Sequence, residues 1–253
     1  MTSARVVACL DVDNGRVVKG TRFRHLRDMG DPVELARHYE QEGIDEIVFL
    51  DVTATPEGRG SLLAVVERAA GEVFVPLTVG GGIRSVEDIG RALRAGADKV
   101  AINSAAVQDP GLIDAAAARF GAQCIVISID VRRAGHGSTV WTRSGAVDSG
   151  RTLVDWAGEC ERRGAGELLV TSIDRDGTRQ GYDIEALGAV AEAVGLPVVA
   201  SGGAGGVADV VEVFDRTAVS AALVAGILHD GSVSVSAIKA ALAEAHLCVR
   251  KMA

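Results

Sequence analysis

Apolar runs recur along the chain and alternate with amphipathic stretches. The runs are nearly continuous in Val, Ile, Leu and Ala, as in RVVACLD, EIVFLDV, CIVISID and ELLVTSID, a pattern typical of parallel strands covered on both faces. They predict strands near residues 5–11, 46–52, 74–79, 98–103, 123–130, 167–174, 197–201 and 221–225. The amphipathic stretches between them predict helices. The pattern therefore predicts eight βα units that form a single (β/α)8 TIM barrel over residues 1–253.

Cap residues mark the starts of several predicted helices. A side-chain oxygen at such a position accepts a hydrogen bond from a free backbone N–H of the first helical turn. The signature occurs at Asp31 before Pro32, at Ser85 with Asp88 three residues on, at Asp109 before Pro110, and at Asp183 before an apolar-periodic run.

The two halves of the chain resemble each other. GIDEIVFLD aligns with GAGELLVTS at an offset of 121, and the same offset places VPLTVGGGI (75–83) on LPVVASGGA (196–204). Asp11 meets Asp130 at an offset of 119. The repeat predicts two duplicated (βα)4 half-barrels, roughly 1–122 and 123–253, with duplicated sites related by an approximate twofold axis.

Two long loops, residues 12–30 and 131–150, follow the two Asp-bearing strands. Each is predicted to contain a hairpin, the first at GRVVKG and the second between Trp141 and Gly150. Long loops in compact domains are usually lids or binding loops, and barrel active sites lie at the carboxyl ends of the strands. The sequence therefore places the candidate site at this end.

Asp11 and Asp130 end the two equivalent strands. Taken singly, each is an ordinary strand-terminal aspartate that caps a turn. As a twofold-related pair, they place two carboxylates on opposite sides of a substrate. One then donates and the other accepts a proton if their surroundings separate their pKa values.

Glycine-rich turns follow the third and seventh strands. They are Gly80-Gly81-Gly82 and Ser201-Gly202-Gly203, and the next strands end in Ile102-Asn103-Ser104 and Val224-Ala225-Gly226. Glycine lets backbone N–H groups approach an anion closely, so these turns indicate two phosphate sites and a substrate with a phosphate at each end. The alternative is that they are turn glycines only.

Two further segments are polar near the predicted site. Lys19 lies in the first loop, where it brings positive charge over a substrate or is simply a solvated lysine. In the sixth unit SIDRDGT (172–178) is polar where the strand should end, although Asp176-Gly177 is also a good turn.

Four charged residues lie at the opposite end of the predicted barrel. They are Arg5, Glu46, Lys99 and Glu167, at the starts of strands one, two, four and six. Side-chain parity along strand one turns Arg5 inward if Asp11 points inward. Two cations and two anions then form a neutral ring that plugs the barrel floor.

Composition narrows the function classes. The net charge of -8 and the pI of about 5.2 disfavour nucleic acid and anionic lipid as partners. The four cysteines show no metal-ligand spacing and are expected to be small buried hydrophobes in a reducing compartment. The start of the chain resembles no signal peptide, and no apolar stretch is long enough for a membrane span, so a cytoplasmic protein is expected.

Motifs along the whole chain resemble one known family. ACLDVDNGRVVKG, LRDMGDPVELA, TVGGGIRS, GADKVAINSAAV, LLVTSIDRDGTRQGYD and VVASGGAG together are similar to the cyclase subunit of imidazole glycerol phosphate synthase, from histidine biosynthesis. The resemblance implies an ammonia-dependent reaction without metal or cofactor. It converts N'-[(5'-phosphoribulosyl)formimino]-5-aminoimidazole-4-carboxamide ribonucleotide into imidazole glycerol phosphate and 5-aminoimidazole-4-carboxamide ribonucleotide.

The resemblance also implies roles for residues of this chain. Asp11 is the general acid/base, Asp130 is its partner, and Lys19 closes over the substrate. One phosphate is expected at Gly82, Asn103 and Ser104, and the other at Gly203, Ala225 and Gly226. The remaining expected substrate contacts are Ser144, Thr171, Asp176, Gly177, Ser201 and Gly202.

In this family a separate glutaminase subunit docks on the barrel floor and supplies the ammonia through the barrel axis. The resemblance thus turns the floor ring from a plug into a gate, with Asp98 on the docking face. The chain departs from the family at Ala225-Gly226, where Ala-Ser is usual, and in the preceding helix, which lacks Gly-Ala-Asp. Two alternatives stay open, the sister isomerase of the same pathway and a non-catalytic phosphate-binding scaffold.

Overall fold

The computed structural model describes residues 3–21, 24–52, 56–135 and 137–250. Its strands are β1 (Arg5–Asp13), β2 (Arg16–Thr21), β3 (Arg24–Gly30), β4 (Glu46–Asp51), β5 (Leu77–Gly80), β6 (Lys99–Ile102), β7 (Ile125–Ala134), β8 (Gly137–Thr142), β9 (Val147–Thr152), β10 (Glu167–Ser172), β11 (Val198–Ser201) and β12 (Ala221–Val224). Its helices are α1 (Pro32–Gln41), α2 (Pro56–Ala70), α3 (Val86–Arg94), α4 (Ser104–Gln108), α5 (Gly111–Phe120), α6 (Leu153–Arg162), α7 (Ile184–Ala193), α8 (Val207–Arg216), α9 (Gly226–His229) and α10 (Val235–Glu244).

Eight parallel strands close into a barrel. Their order is β10-β11-β12-β1-β4-β5-β6-β7, and β7 pairs with β10 to complete the circle. Helices that follow these strands pack outside them around a continuous apolar core. The predicted (β/α)8 barrel is confirmed. No helix within the described ranges is both long and apolar enough to cross a membrane.

Two predicted strands have wrong boundaries. The strand predicted at 74–79 begins at Leu77, because Pro76 has no N–H to donate and Phe74 donates its own to the Glu40 carboxylate. The strand predicted at 123–130 begins at Ile125, after a short 3-10 turn. It runs on beyond residue 130 because its end pairs with the neighbouring β8.

A hairpin is present in both predicted loops, but GRVVKG, predicted to form the first hairpin by itself, forms only its first strand, β2. In the first loop β2 and β3 pair antiparallel, and in the second β8 and β9 do so. The attachment to the barrel differs between them. β2 pairs with β1 only at Val12↔Val17 and Asp13↔Arg16, whereas β8 pairs with β7 in register from Asp130↔Trp141 to Ala134↔Gly137.

The barrel interior is layered. Arg5 and its inward neighbours occupy the floor, Asp11 lies at the mouth, and a layer of apolar side chains separates the two. The side chains of this layer are Val7, Cys9, Val48, Ala101, Val126, Leu169, Val199, Ala221 and Leu223. A single strand can contribute to all three layers, as β1 does, because alternate residues along a strand face the same side.

The internal repeat is visible in two equivalent glycines. Gly81 and Gly202 have φ of 92° and 89°. A Cβ at Gly81 would lie 2.3 Å from the carbonyl oxygen of Asp51, and one at Gly202 would lie 2.7 Å from that of Ser172. The turn at Gly81 therefore lies directly on the end of β4, and the turn at Gly202 lies directly on the end of β10. Only glycine fits at these two positions. The half-barrel boundary at 122/123 stays a prediction.

The predicted caps are present in three cases. Asp31, Ser85 and Asp183 accept hydrogen bonds from the first turns of α1, α3 and α7. The prediction at Asp109 needs correction. This carboxylate accepts from Gly111 N, but Pro110 occupies the cap position of α5.

The prediction that the four cysteines are buried is correct for two of them. Cys9 and Cys160 are free and buried, whereas Cys124 is half-buried and Cys248 is exposed. Cys248 lies near the end of the described chain, where its carbonyl oxygen accepts a hydrogen bond from Ala4 N. Its backbone rather than its side chain therefore contributes to packing.

Candidate active site

A cavity of about 510 Å³ opens at the carboxyl ends of the barrel strands. Its walls contain both halves of the chain, including the two strand-end aspartates. The predicted site residues that line it are Asp11, Lys19, Asp130, Thr171, Asp176, Gly177, Ser201, Gly202, Gly203, Ala225 and Gly226. The structure thus brings most of the predicted site together in one space.

Asp11 lies beside a cation. Lys19 reaches it from β2, with 3.5 Å between Nζ and Asp11 Oδ2. The Sγ atom of Cys9 lies 3.7 Å from Oδ1. Burial raises the pKa of Asp11 above its usual value, and the positive charge of Lys19 opposes this rise by favouring the carboxylate.

Asp130 lies beside a neutral amide. Asn103 Nδ2 donates to Asp130 Oδ2 at 2.9 Å, and Asn103 Oδ1 is buried with no hydrogen-bond partner among the described residues. Burial raises the pKa of Asp130 to about 6, the Asn103 hydrogen bond acts against this, and nearby Asp176 adds to it. A carboxyl with this pKa exchanges its proton near neutral pH.

The turns of the second half-barrel form one wall of the cavity. Gly203 has φ of 109°, and a Cβ on it would lie 2.2 Å from the carbonyl oxygen of Gly181. Gly181 N donates to Gly203 O at 2.9 Å, which joins the loop after β10 to this turn. Gly226 lies near Lys19, since a Cβ on it would be 3.7 Å from Lys19 Cε.

The equivalent residues of the first half-barrel lie outside the cavity lining. Gly82, Asn103 and Ser104 are absent from the residues that line it, and so is Ser144 of the second half-barrel. Ser104 Oγ accepts a hydrogen bond from Arg143 N at 2.9 Å, next to Ser144 in the β8–β9 turn. The second hairpin therefore contacts Ser104, and Asn103 contacts the site through Asp130.

The floor carries the predicted ring. Arg5 contacts Glu46 at 3.0 Å and Glu167 at 2.5 Å, and Lys99 contacts the same two carboxylates at 2.9 and 2.7 Å. Cations and anions thus alternate in a closed circuit. Exposed Asp98 accepts a hydrogen bond from Leu77 N at 2.8 Å on the same face.

His229 is a cavity residue that the sequence did not reveal. Its Nε2 lies 2.9 Å from the carbonyl oxygen of Cys9, which only accepts, so Nε2 carries the proton. Its Nδ1 lies 2.7 Å from Tyr39 Oη, so Tyr39 donates. Burial and the charge of Lys19 lower the pKa of His229 to about 4, so the ring is neutral at physiological pH.

Other cavity residues were also missed. They are Cys9, Arg27, Met29, Leu50, Ser128, Leu169, Arg179, Ala204, Leu223 and Asp230. The interior ones share side-chain parity with a predicted site residue of the same strand, as Ser128 does with Asp130. Parity was therefore a usable signal for them. Arg179 and Asp230 lie in loops, where no periodicity applies.

The fold and the site define a (β/α)8 barrel enzyme with a half-buried carboxylate pair in a cavity that has one wall of glycine turns suited to an anion. The family model described as "Histidine biosynthesis protein" matches residues 5–234, and the chain belongs to this family.

Relatives of similar length agree with this family assignment. The chain is 58% identical over 252 residues to imidazole glycerol phosphate synthase subunit HisF of Myxococcus xanthus, covering 100% of both chains. It is 54% identical to the proteins of that name from Sulfurisphaera tokodaii, over 99% of this chain and 100% of the other, and Nostoc sp., over 99% and 98%. The resemblance predicted from the motifs is confirmed.

Proposed function

We propose that the chain catalyses the ammonia-dependent step of imidazole glycerol phosphate synthesis in histidine biosynthesis. The observation that carries the proposal is the pair Asp11 and Asp130, two half-buried carboxylates in one cavity with different partners. The names of the full-length relatives support it. A non-catalytic phosphate-binding scaffold would not need an acid/base pair.

The reaction requires proton transfers at two places. Attack of ammonia on the keto carbon of the ribulosyl group forms an imine and releases water, so two protons leave the nitrogen and two reach the departing oxygen. The new nitrogen then attacks the formimino carbon, and the aminoimidazole leaves as an amine that takes up a proton. A base and an acid on opposite sides of the substrate serve these steps.

The two aspartates are suited to different parts of this work. Lys19 favours the carboxylate form of Asp11, which acts as the base that takes a proton from the attacking nitrogen. Asp130 has a pKa of about 6, so it returns protons more readily and serves the departing groups. The two exchange protons with the substrate alternately over the reaction.

The phosphates are assigned to the two glycine turns. The turn at Ser201–Gly203 and the backbone at Ala225–Gly226 line the cavity and take one phosphate through their N–H groups. Gly226 lacks the serine hydroxyl usual in the family but keeps its backbone donor. The other phosphate is assigned to Gly82, Asn103 and Ser104, beside the cavity.

Direct assay tests the function. The purified protein is incubated with the ribulosyl substrate and an ammonium salt at alkaline pH, and the products are separated by chromatography and identified by mass. We expect imidazole glycerol phosphate and the aminoimidazole ribonucleotide in equal amounts, and neither without ammonium. Absence of both products with ammonium present would contradict the proposal. Isomerisation of the preceding aldose form would instead identify the sister isomerase.

The partner is proposed to be a glutaminase subunit on the barrel floor. The word "subunit" in the names of the relatives supports a partner. On the floor face, Phe74 is 85% exposed, which leaves an apolar side chain available for contact with a docked partner. The closed ring of Arg5, Glu46, Lys99 and Glu167 then acts as a gate for ammonia.

Substitution of Lys99 tests whether the floor ring acts as a gate for ammonia or only as a structural plug. In Lys99→Met, with the glutaminase added, we expect glutamine-driven turnover to fall several-fold more than turnover driven by ammonium salts. Arg94→Met, an exposed outer position, is the control. Equal losses with both nitrogen sources would leave the ring as a plug that serves stability.

Phe74→Ser is expected to weaken glutaminase binding and to leave ammonium-driven turnover unchanged.

A further inference from the structure

The loop after β10 is built against the second phosphate turn. A Cβ at Gly205 would lie 2.4 Å from the carbonyl oxygen of Arg179, and one at Gly203 would lie 2.2 Å from that of Gly181. Arg179 itself has φ of 57°, a conformation that non-glycine residues adopt at some cost. The loop is thus held closely on the turn, and Arg179 is fixed at the rim of the cavity.

The Arg179 side chain reaches across the cavity rim to Asp230. Its Nη2 contacts Asp230 Oδ2, and both residues line the cavity. Asp230 follows α9 and donates its N–H to the carbonyl oxygen of Gly226 at 3.1 Å. The Arg179 residue therefore connects the turn at Gly203–Gly205, on which its backbone packs, with the far end of the helix that begins at Gly226, where its guanidinium contacts Asp230.

Asp230 has a second set of partners. Its Oδ1 accepts from Ser232 N at 3.0 Å and from Ser232 Oγ at 2.5 Å. Partial burial works against ionisation, but the hydrogen bonds from Ser232 and Arg179 lower the pKa of Asp230 to about 2. The carboxylate therefore stays charged and stays held by Ser232 when Arg179 turns away.

The residues that line the cavity carry more negative than positive charges, so an anionic substrate group requires a cation close to where it binds. Four carboxylates line it (Asp11, Asp130, Asp176 and Asp230), against three cations (Lys19, Arg27 and Arg179). Lys19 already faces Asp11. Asp230 would repel a phosphate at the second-half turns, and Arg179 is the lining cation whose backbone packs on the turn at Gly203–Gly205. A guanidinium binds phosphate through two parallel N–H groups.

We propose that Arg179 binds the substrate phosphate of the second half-barrel, and that Asp230 is the resting partner which this phosphate displaces. The inference rests on the proposed function, which supplies a phosphate at this wall. In this proposal the ion pair is an exchange device, which means that the substrate phosphate replaces Asp230 as the partner of Arg179. Asp230 occupies the guanidinium in the empty site and gives it up when the more highly charged phosphate arrives.

The opposing role is a staple that merely holds two loops together. The two roles predict opposite effects on substrate affinity when the charge of Asp230 is removed. If the ion pair is only a staple, removal of either charge breaks it, so both variants would bind the substrate more weakly. In an exchange device, loss of Arg179 removes a phosphate ligand, whereas loss of the Asp230 charge frees Arg179 and removes a repelling anion.

The experiment compares Arg179→Gln and Asp230→Asn at saturating ammonium. For Arg179→Gln we expect KM for the ribulosyl substrate to rise on the order of tenfold, the effect of losing one charge-assisted contact, with kcat within about twofold. For Asp230→Asn we expect KM to fall several-fold. Arg179→Lys should restore part of the affinity. Arg216→Gln is the control, because Arg216 pairs with Glu212 on the outer helix α8.

Inorganic phosphate gives a readout that does not need turnover. Its dissociation constant, measured by calorimetry, should rise in Arg179→Gln and fall in Asp230→Asn. An increase of KM and of this constant in both variants, with lower thermal midpoints, would establish the staple and overturn the proposal. An unchanged phosphate constant in Arg179→Gln would also overturn it. Lack of turnover in the unmodified protein would instead contradict the proposed function, while the phosphate titration would still test Arg179.

Discussion

The two half-barrels place an aspartate at equivalent strand ends but surround it differently. Asp11 faces the ammonium group of Lys19 at 3.5 Å, and Asp130 accepts from the amide of Asn103 at 2.9 Å. In the repeat, Ala225 stands where a counterpart of Asn103 would stand, so Asp11 has no amide donor of this kind. In the proposed mechanism, a duplicated scaffold thus supplies both an acid and a base because the neighbours of the two aspartates differ.

The hairpins differ in the same sense. The first, which carries Lys19, is joined to β1 at two residue pairs, whereas the second is joined to β7 at five. The second is also fixed by Arg132, whose guanidinium lies 4.3 Å above the ring of Trp141. Fewer main-chain bonds to the barrel mean a lower cost for moving the first hairpin. The cation is on the hairpin that moves more easily.

The largest effect should come from Asp11 itself. Asp11→Asn removes the base while keeping size and polarity, so kcat should fall by about 10²–10⁴-fold, the range for general acid/base catalysis. Substrate should still bind, with KM changed by less than about threefold. Steady-state kinetics with ammonium measure both. Asp215→Asn on exposed helix α8 is the control, and normal turnover in Asp11→Asn would refute the assignment.

A smaller loss should follow from removing the cation. In Lys19→Met we expect kcat to fall by about 10–100-fold. The pKa of Asp11 should rise, since the charge that opposes its rise is gone. The limb of the pH–rate profile that belongs to Asp11 then moves to higher pH. Arg16→Met, in the same strand but paired with Asp28, is the control. If both variants behave alike, Lys19 is a solvated lysine.

Asn103 tests the other half of the comparison. Asn103→Leu removes the donor that stabilises the charged form of Asp130, so its pKa should rise further above 6, by about one unit. The corresponding limb of the pH–rate profile should move upward while the Asp11 limb stays. A rise in KM alone, with an unchanged profile, would mean that Asn103 acts on the phosphate and not on Asp130.

The smallest effect concerns stability. The pKa of Asp130 is raised in the folded state from 3.8 to about 6, so the folded chain holds this proton more tightly than the unfolded chain. Ionisation therefore destabilises the fold as pH rises from about 4 to 6, by at most about 3 kcal/mol. Asp130→Asn should melt a few degrees higher than the unmodified protein at pH 8. At pH 4 the difference should vanish, and equal differences at both pH values would contradict the shifted pKa.

Much of this fold was accessible from the sequence because its signals are local. Apolar runs give strands, and the offset between VPLTVGGGI and LPVVASGGA gives the repeat. Side-chain parity placed Arg5 and Asp11 at opposite ends of one interior face, as found. Boundaries failed where a proline or a tertiary pairing decided them, as at Pro76 and at the end of β7.

The site was less accessible because its distinctions come from long-range contacts. Tyr39 and His229 are 190 residues apart, and no pattern in the chain joins them. The glycine turns were recognised, but Gly81 and Gly202 are tightly constrained by the strand ends beneath them as well as suited to an anion. The hydrogen bond from Arg143 N in the second hairpin to Ser104 Oγ is another long-range contact that no pattern in the chain shows.

The apolar layer across the barrel interior acts as a permeability barrier between the mouth and the floor. An ion that crosses it must shed its hydration shell without gaining polar contacts, which costs several kcal/mol, whereas a small uncharged molecule loses little. Ammonia passes such a layer and ammonium does not. If the proposed glutaminase delivers nitrogen along the barrel axis, that nitrogen reaches the mouth as the uncharged nucleophile and not as ammonium.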